Sequence, residues 1–303
     1  MDGIASKLSA ATVIAILVLS AISCDRAQSS VPDPVRPHSV RLYVFDCGTI
    51  HIGDLSRFRM AKEDLTTTDL AVACFLVVHP KGTLIWDVGA VPDGDWKPTG
   101  APVQHHVILP RPEERGFGHI TVVKTLASQL AEVGYAPTDI TYLALSHYHY
   151  DHTANANLFA SAKWLVRPVE REAMFASDPP AVTQPSSYER LRESRTILLE
   201  SPDYDVFRDS TVIIKSAPGH TPGHQVLYVK LAHTGSIVLS GDLYHYAQSR
   251  TLQRIPTFDF DQAQSAASRA SIETFLKTSG AQLWIQHDFA SDARLRKAPE
   301  FYD

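Results

Sequence analysis

His147-Tyr148-His149-Tyr150-Asp151-His152 follows the apolar run Tyr142-Leu143-Ala144-Leu145 and sets four metal-binding side chains within six residues. Imidazole and carboxylate are the usual donors to zinc and similar divalent ions. Read as an extended or turn segment, His147, His149 and Asp151 point to one side and His152 follows on a bend. The stretch can then feed two adjacent metal positions. A solvated turn is the plainer alternative, but it gives no reason for so dense a set of donors at a strand end.

Three further strand ends carry the same chemistry. Residues 212–215 lead into Ala217-Pro218-Gly219-His220-Thr221-Pro222-Gly223-His224, residues 236–239 into Ser240-Gly241-Asp242, and residues 283–286 into His287. Loops gathered at one rim of a sheet are where sites are built. Singly, each donor has an ordinary reading. His220 shares its turn with His224, Asp242 could be a turn or cap residue, and His287 beside Asp288 could be a surface pair. Jointly with the hexapeptide they form one set.

The rest of the chain is consistent with layered sheets covered by helices. Residues 40–45, 70–79 and 83–86 read as strands, the last two joined by Pro80-Lys81-Gly82 and closed by Asp87-Val88-Gly89. The spacing of Ile120, Val123, Leu126, Leu130 and Val133 predicts a helix stopped by Gly134. Residues 141–145, 163–166 and 225–231 read as strands, and 170–176, 188–194 and 261–279 as helices, the last capped by Asp259 or Asp261. Residues 91–118 are rich in proline and glycine and read as an irregular loop. Its Trp96, Val107, Ile108, Leu109 and Phe117 suit an acyl or aryl group, or simple packing. The fold class is α/β (α+β).

The chain has 303 residues and is 44% hydrophobic, enough for a large core. A net charge of −5 and the absence of a basic stripe argue against a nucleic-acid partner. Residues 8–22 are almost wholly apolar after Lys7, short for a membrane span and suited to a signal-peptide core. They end in Ala21-Ile22-Ser23-Cys24, which resembles a lipoprotein cleavage box with Ala21 in place of the usual Leu. Ordinary signal cleavage and an uncleaved anchor stand beside lipidation of Cys24. The expected organisation is a signal over 1–24, a flexible linker over 25–38 and one folded domain over 39–303. The expected location is the periplasm or, through a lipid on Cys24, the bacterial envelope. Without a C-x-x-C pair, a cysteine metal site is not expected. Cys47 and Cys74 lie in apolar runs and read as buried thiols, or as a disulfide in an exported protein.

In chain order, Asp87 with Gly89, His147-x-His149-x-Asp151-His152, His220, Asp242 and His287 resemble the metallo-β-lactamase-fold hydrolase superfamily over about residues 40–290. The resemblance implies a four-layer αββα sandwich with a dinuclear site at one edge. His147, His149 and His220 would hold one metal and Asp151, His152 and His287 the other. Asp242 would bridge them, and Asp87 would support the site from below. Two divalent ions per chain are implied, zinc first, though the same donors suit manganese, iron or cobalt. Within the superfamily the chain is most similar to the N-acyl-homoserine lactonases, through residues 42–48, the 219–224 turn and Asp242. That implies lactone-ring opening by a hydroxide bridging the metals, with Asp151 orienting it. Those enzymes carry a tyrosine three residues past the bridging aspartate. Here that position is His245, flanked by Tyr244 and Tyr246, so any of the three could assist the substrate. The alternatives are a thioesterase of the glyoxalase II type, an arylesterase, an organophosphate hydrolase, or a metal-binding scaffold without turnover. A true β-lactamase is disfavoured by Asp242 and a diiron oxygen reductase by His149. The sequence says nothing of oligomeric state.

Overall fold

Residues 70–79 form an unbroken apolar run because both faces of their strand are covered. In the computed structural model, which describes residues 1, 37–96, 103–105 and 119–303, this strand is the middle of a large sheet. Alternate side chains divide between two cores, as a period of two requires. Leu70, Val72, Cys74, Leu76 and Val78 pack outward with a helix-covered core, and Ala73, Phe75 and Val77 pack inward against the second sheet. Two compact units divide the chain, Met1–Asp33 and Pro34–Asp303, and everything below concerns the second.

The first sheet contains β1 (Arg41–His51), β2 (Asp69–His79), β3 (Gly82–Trp86), β4 (Val103–His105), β5 (His119–Val122), β6 (Tyr142–Ala144), β7 (Lys163–Val166) and β8 (Thr196–Leu198). Its order is β4-β5-β1-β2-β3-β6-β7-β8. The second contains β9 (Asp203–Asp205), β10 (Val212–Ser216), β11 (Gln225–Leu231), β12 (Gly235–Leu239) and β13 (Gln282–Trp284), in the order β13-β12-β11-β10-β9. A last strand, β14 (Phe301–Tyr302), pairs with β1.

Helices α1 (Leu126–Glu132), α2 (Tyr150–Thr153), α3 (Pro168–Met174) and α4 (Pro185–Tyr188) follow strands of the first sheet. Leu126 and Leu130 of α1, Met174 of α3 and Tyr188 of α4 belong to its outer core. Helices α5 (Ala247–Thr251), α6 (Gln262–Ser279) and α7 (Phe289–Asp292) follow strands of the second. Ile272 and Leu276 of α6, one turn apart, pack on Val226 and Val238 of that sheet. Between the sheets lie Leu42, Val44, Phe75, Trp86, Ile214, Leu227 and Leu239 among others. These are the layers of an αββα sandwich. Among the described residues no helix is long and apolar enough to cross a membrane.

Several local expectations shift. The helix read over 120–133 is two elements. Ile120, Thr121 and Val122 belong to β5, paired with β1 and β4, and the helix begins only at Leu126, where the Thr125 hydroxyl accepts from Ser128 N at 3.2 Å. The β-branched run Ile120-Thr121-Val122-Val123 prefers a strand, and Val123, placed on the apolar helix face by spacing, is 55% exposed. The 91–118 loop contains strand β4; its Val107, Ile108, Leu109 and Phe117 lie outside the described residues, whereas Trp96 packs on the outer core. The expected signal at 8–22, Cys24, and the linker up to residue 36 also lie outside them. Of the two readings of the cysteines, the disulfide is the one seen. Cys47 and Cys74 are joined across β1 and β2, with Cα atoms 6.0 Å apart.

Candidate metal centre

Strand direction explains why the donors meet. β3 pairs in parallel with β6, so Asp87 and the hexapeptide leave the first sheet at the same end. β12 pairs in parallel with β13, so Asp242 and His287 leave the second sheet together. The turn after β10 adds His220. Gly219 makes that turn possible: it has φ +134°, and a Cβ there would lie 2.2 Å from Ser265 N in α6.

The hexapeptide is not extended throughout. His147 and His149 precede a helical turn, and Asp151 and His152 lie in α2, with His149 as its N-cap. Successive helical residues diverge by about 100°, which sends Asp151 and His152 toward different parts of one site.

Seven side chains converge in two groups, His147, His149, His220 and Asp242 in one and Asp151, His152 and His287 in the other. Asp242 divides its oxygens between them. Its Oδ2 lies 3.1 Å from His220 Nε2 and 3.6 Å from His147 Nε2, and its Oδ1 lies 3.0 Å from both His152 Nε2 and His287 Nε2. Asp151 Oδ2 is 3.5 Å from His287 Nε2 and 3.7 Å from His152 Nε2. His149 Nδ1 faces His220 Nε2 at 3.1 Å, and His152 Nε2 faces His287 Nε2 at 3.1 Å.

Hydrogen bonds on the far side of the rings set what these nitrogens can do. His287 Nδ1 donates to Ala71 O at 2.6 Å, His220 Nδ1 meets Asp259 at 2.8 Å, and His152 Nδ1 meets Asp87 at 2.8 Å. An Nδ1–H held by an acceptor leaves Nε2 as a lone-pair donor, the outer-shell arrangement of metal-binding histidines. With neither a proton nor a metal between them, such lone pairs would confront one another at about 3 Å. Among the seven converging side chains, the buried His147 Nε2 and Asp242 Oδ1 have no hydrogen-bond partner. Cations resolve both conditions, so the residues fit a pair of divalent ions.

Charge follows the same logic. Burial holds the His147 and His149 imidazoles well below their ordinary range. Burial opposes protonation of His220 as well, but the Asp242 and Asp259 carboxylates outweigh it and hold the ring up at about 9. His224, the rival to His220 in its turn, is not aimed as a ligand. Its Nδ1 donates to Ala217 O and its Nε2 accepts from Asp242 N at 2.9 Å, and burial pushes it down to about 4. It is a neutral strut that positions Asp242.

Asp87 is a support. Its left-handed backbone (φ 54°) turns the carboxylate so that it accepts from Ser146 N at 2.6 Å and Gln286 Nε2 at 2.6 Å besides meeting His152. Sequence reasoning missed three members of this outer shell: Gln286, Glu170 and the second role of Asp259. The pair Asp259 and Asp261 did hold a signal. Only Asp261 caps α6, accepting from Ala263 N and Gln264 N, which leaves the other acid for His220.

Of the three residues considered for substrate assistance, two face elsewhere, and this corrects the reading of Tyr244 and Tyr246. The Tyr244 hydroxyl donates to Glu273 at 3.1 Å beneath α6, and the Tyr246 hydroxyl donates to Thr68 O at 2.9 Å. Both rings are core aromatics. His245 alone enters the site, with Nε2 3.1 Å from Asp242 Oδ2 and its ring against the edges of Phe58 and Phe258. A cleft opens over Asp151, Asp242, His149 and His245. Its walls are Ile50, Ile52, Phe58, Leu70, Val182 and Phe258, with Tyr150.

Comparison with known proteins agrees with this architecture. The sequence profile of the metallo-beta-lactamase superfamily matches residues 67–278. The chain is 28% identical over 274 residues to the N-acyl homoserine lactonase AttM of Azorhizobium caulinodans, covering 87% of this chain and 99% of that protein. It is 26% identical over 273 residues to AttM of Rhizobium radiobacter, covering 87% and 98%. A crystal structure of a Bacillus thuringiensis AiiA mutant with N-decanoyl-L-homoserine bound at its active site superposes with a TM-score of 0.70 at 23% identity, covering 86% of this chain and 98% of that one. The two adjacent donor groups make this a metal-dependent hydrolase with a dinuclear site, and the chain belongs to the metallo-beta-lactamase superfamily.

Proposed function

We propose that this protein opens the lactone ring of N-acyl-homoserine lactones. The observation that carries the reading is the cleft: apolar and aromatic walls lead directly to Asp151, Asp242 and His245. Among the described residues lining it none is cationic, which suits a neutral ester or lactone better than an anionic substrate such as a glutathione thioester. The names of the AttM relatives point to the same bond. Two divalent ions, zinc in our reading, would be held by His147, His149, His220, Asp151, His152 and His287 with Asp242 between them. When bound they would supply Lewis acidity and ionise a water near neutral pH.

The chain's own residues supply orientation. Asp151 stands at the cleft floor and takes or steers a proton. His245 reaches the same floor and hydrogen-bonds the substrate oxygen, the task for which the lactonases use tyrosine. Phe58, Phe258 and the isoleucines exclude water and hold the apolar portion of the substrate. The test is a panel of acyl-homoserine lactones, aryl esters, thioesters and phosphotriesters on metal-loaded protein. The expected result is acid release and a product heavier by one water with the lactones. Turnover of only another bond type would replace the substrate; no turnover at all would leave a metal-binding scaffold.

We further propose that the protein is exported and held in the periplasm or on the envelope by a lipid at Cys24. The Cys47–Cys74 disulfide supports an oxidising compartment. Palmitate labelling of the full chain, lost in Cys24→Ala, is the expected result; an unlabelled mature protein would favour ordinary signal cleavage.

A further inference from the structure

We propose that Glu170 is the positioning residue of the first metal group, a buried carboxylate that fixes the spacing of its donors without touching them. The inference rests on the dinuclear reading above. Glu170 lies in α3, on the first sheet, and is 3% exposed. Its Oε1 accepts from Tyr148 N at 2.9 Å and from the Thr221 hydroxyl at 2.8 Å, and its Oε2 accepts from Gly223 N at 2.7 Å. These contacts are not scattered. Tyr148 separates His147 from His149, Thr221 follows His220, and Gly223 precedes His224, whose ring holds Asp242 N. One carboxylate therefore reaches His147, His149 and His220 through an adjacent residue, and Asp242 through the turn that carries His224. It also ties the loop of one sheet to the loop of the other. Gly223 permits the approach, since a Cβ there would lie 2.6 Å from Glu170 Cβ.

None of these contacts touches Asp151, His152 or His287. His152 and His287 are held from behind by Asp87 and Ala71 O, and Asp87 in turn by Gln286. Glu170 thus clamps the first group, whereas Asp87 meets His152 of the second directly and touches the first only through Ser146, from whose N it accepts beside His147. Glutamine at 170 cannot substitute fully, because only one of its two termini accepts while three donors converge.

The test is metal retention. Wild type, Glu170→Gln, Glu170→Ala and Asp87→Asn are loaded with cobalt and dialysed against graded chelator. Cobalt per chain and the visible absorption bands are then read together with the melting temperature. Loss of an outer-shell partner typically weakens metal binding about 10–100-fold. The Glu170 variants should lose one ion at lower chelator and keep the other, and Asp87→Asn should lose the ion with the other spectrum. Thr221→Val, which removes a single donor and spares the carboxylate, should shift the same ion by less; it serves if Glu170→Ala does not fold. Variants that melt earlier yet release both ions together, at the wild-type chelator concentration, would reduce Glu170 to a structural acid and overturn the proposal. A wild type that never binds two ions would instead sink the dinuclear reading, whatever the variants do.

Discussion

Removing the Cys47–Cys74 bridge should destabilise the fold by an amount the chain itself sets. The two cysteines are 27 residues apart, and both sulphur-bearing side chains are buried. Closing a loop of that length removes unfolded-state entropy worth about 3.5 kcal/mol near room temperature. For a body of this size each kcal/mol moves the melting temperature by about 2–4 °C, so the double variant Cys47→Ala/Cys74→Ala should melt about 7–14 °C lower. Alanine is the right replacement, because serine would bury unpaired hydroxyls at both positions. The assay is thermal and urea unfolding of metal-loaded protein, with and without a phosphine reductant in place of a dithiol, which would also bind the metals. The variant and the reduced wild type should coincide. Both should keep two metals, since neither cysteine touches a donor. A melting temperature within about 2 °C of wild type would refute the argument, and so would free thiols in the native oxidised protein.

Further outcomes follow from the site. Asp151→Asn should lower turnover by about 10²–10⁴-fold with the fold intact, as removal of a proton-handling group does; unchanged turnover would take Asp151 out of the chemistry. His245→Phe should lower kcat/KM by about 10–100-fold without changing metal content, and His245→Tyr should recover part of it; equal kinetics in all three would remove His245 from the reaction. In metal-free protein, His220 is held up at about 9, above its ordinary value of 6.5. Its contribution to stability is then full below pH 6.5 and lost as pH rises through about 9. Metal must displace that proton, so apparent metal affinity should climb between pH 6.5 and 9 with proton release on loading. Calorimetry in buffers of different ionisation enthalpy checks this, and a flat profile would contradict it.

The sequence made the donors legible because each cluster of them, at His147, His220, Asp242 and His287, opens after an apolar run, and the strand ends that carry them meet at one rim. The strands of the cores were legible for a related reason, their unbroken or alternating apolar pattern. The short edge strands were not. Thr196–Leu198 is apolar but too short to declare itself, and Asp203–Asp205 has little apolar pattern and is strand only because β10 pairs with it. The outer shell was the least legible. Glu170 is an acid in an ordinary helix until the fold places Tyr148 and Gly223 against it, and nothing local distinguishes it from Glu172 on the same helix. Tyr244, His245 and Tyr246 show the complementary limit. Their proximity to Asp242 was plain, but which way each ring points depends on Glu273 and Thr68, far away in the chain.

That last tripeptide carries an evolutionary consequence. The outer two tyrosines hold the loop, one clamped under α6 and the other to the strand side, so the middle residue contributes little to keeping the backbone in place. Its ring can be exchanged for another without asking the loop to refold. A single codon therefore controls the group presented to the substrate beside an unaltered metal pair. Changes of substrate in a lineage built on this frame should begin at that position, and could be sampled in the laboratory by saturating it alone.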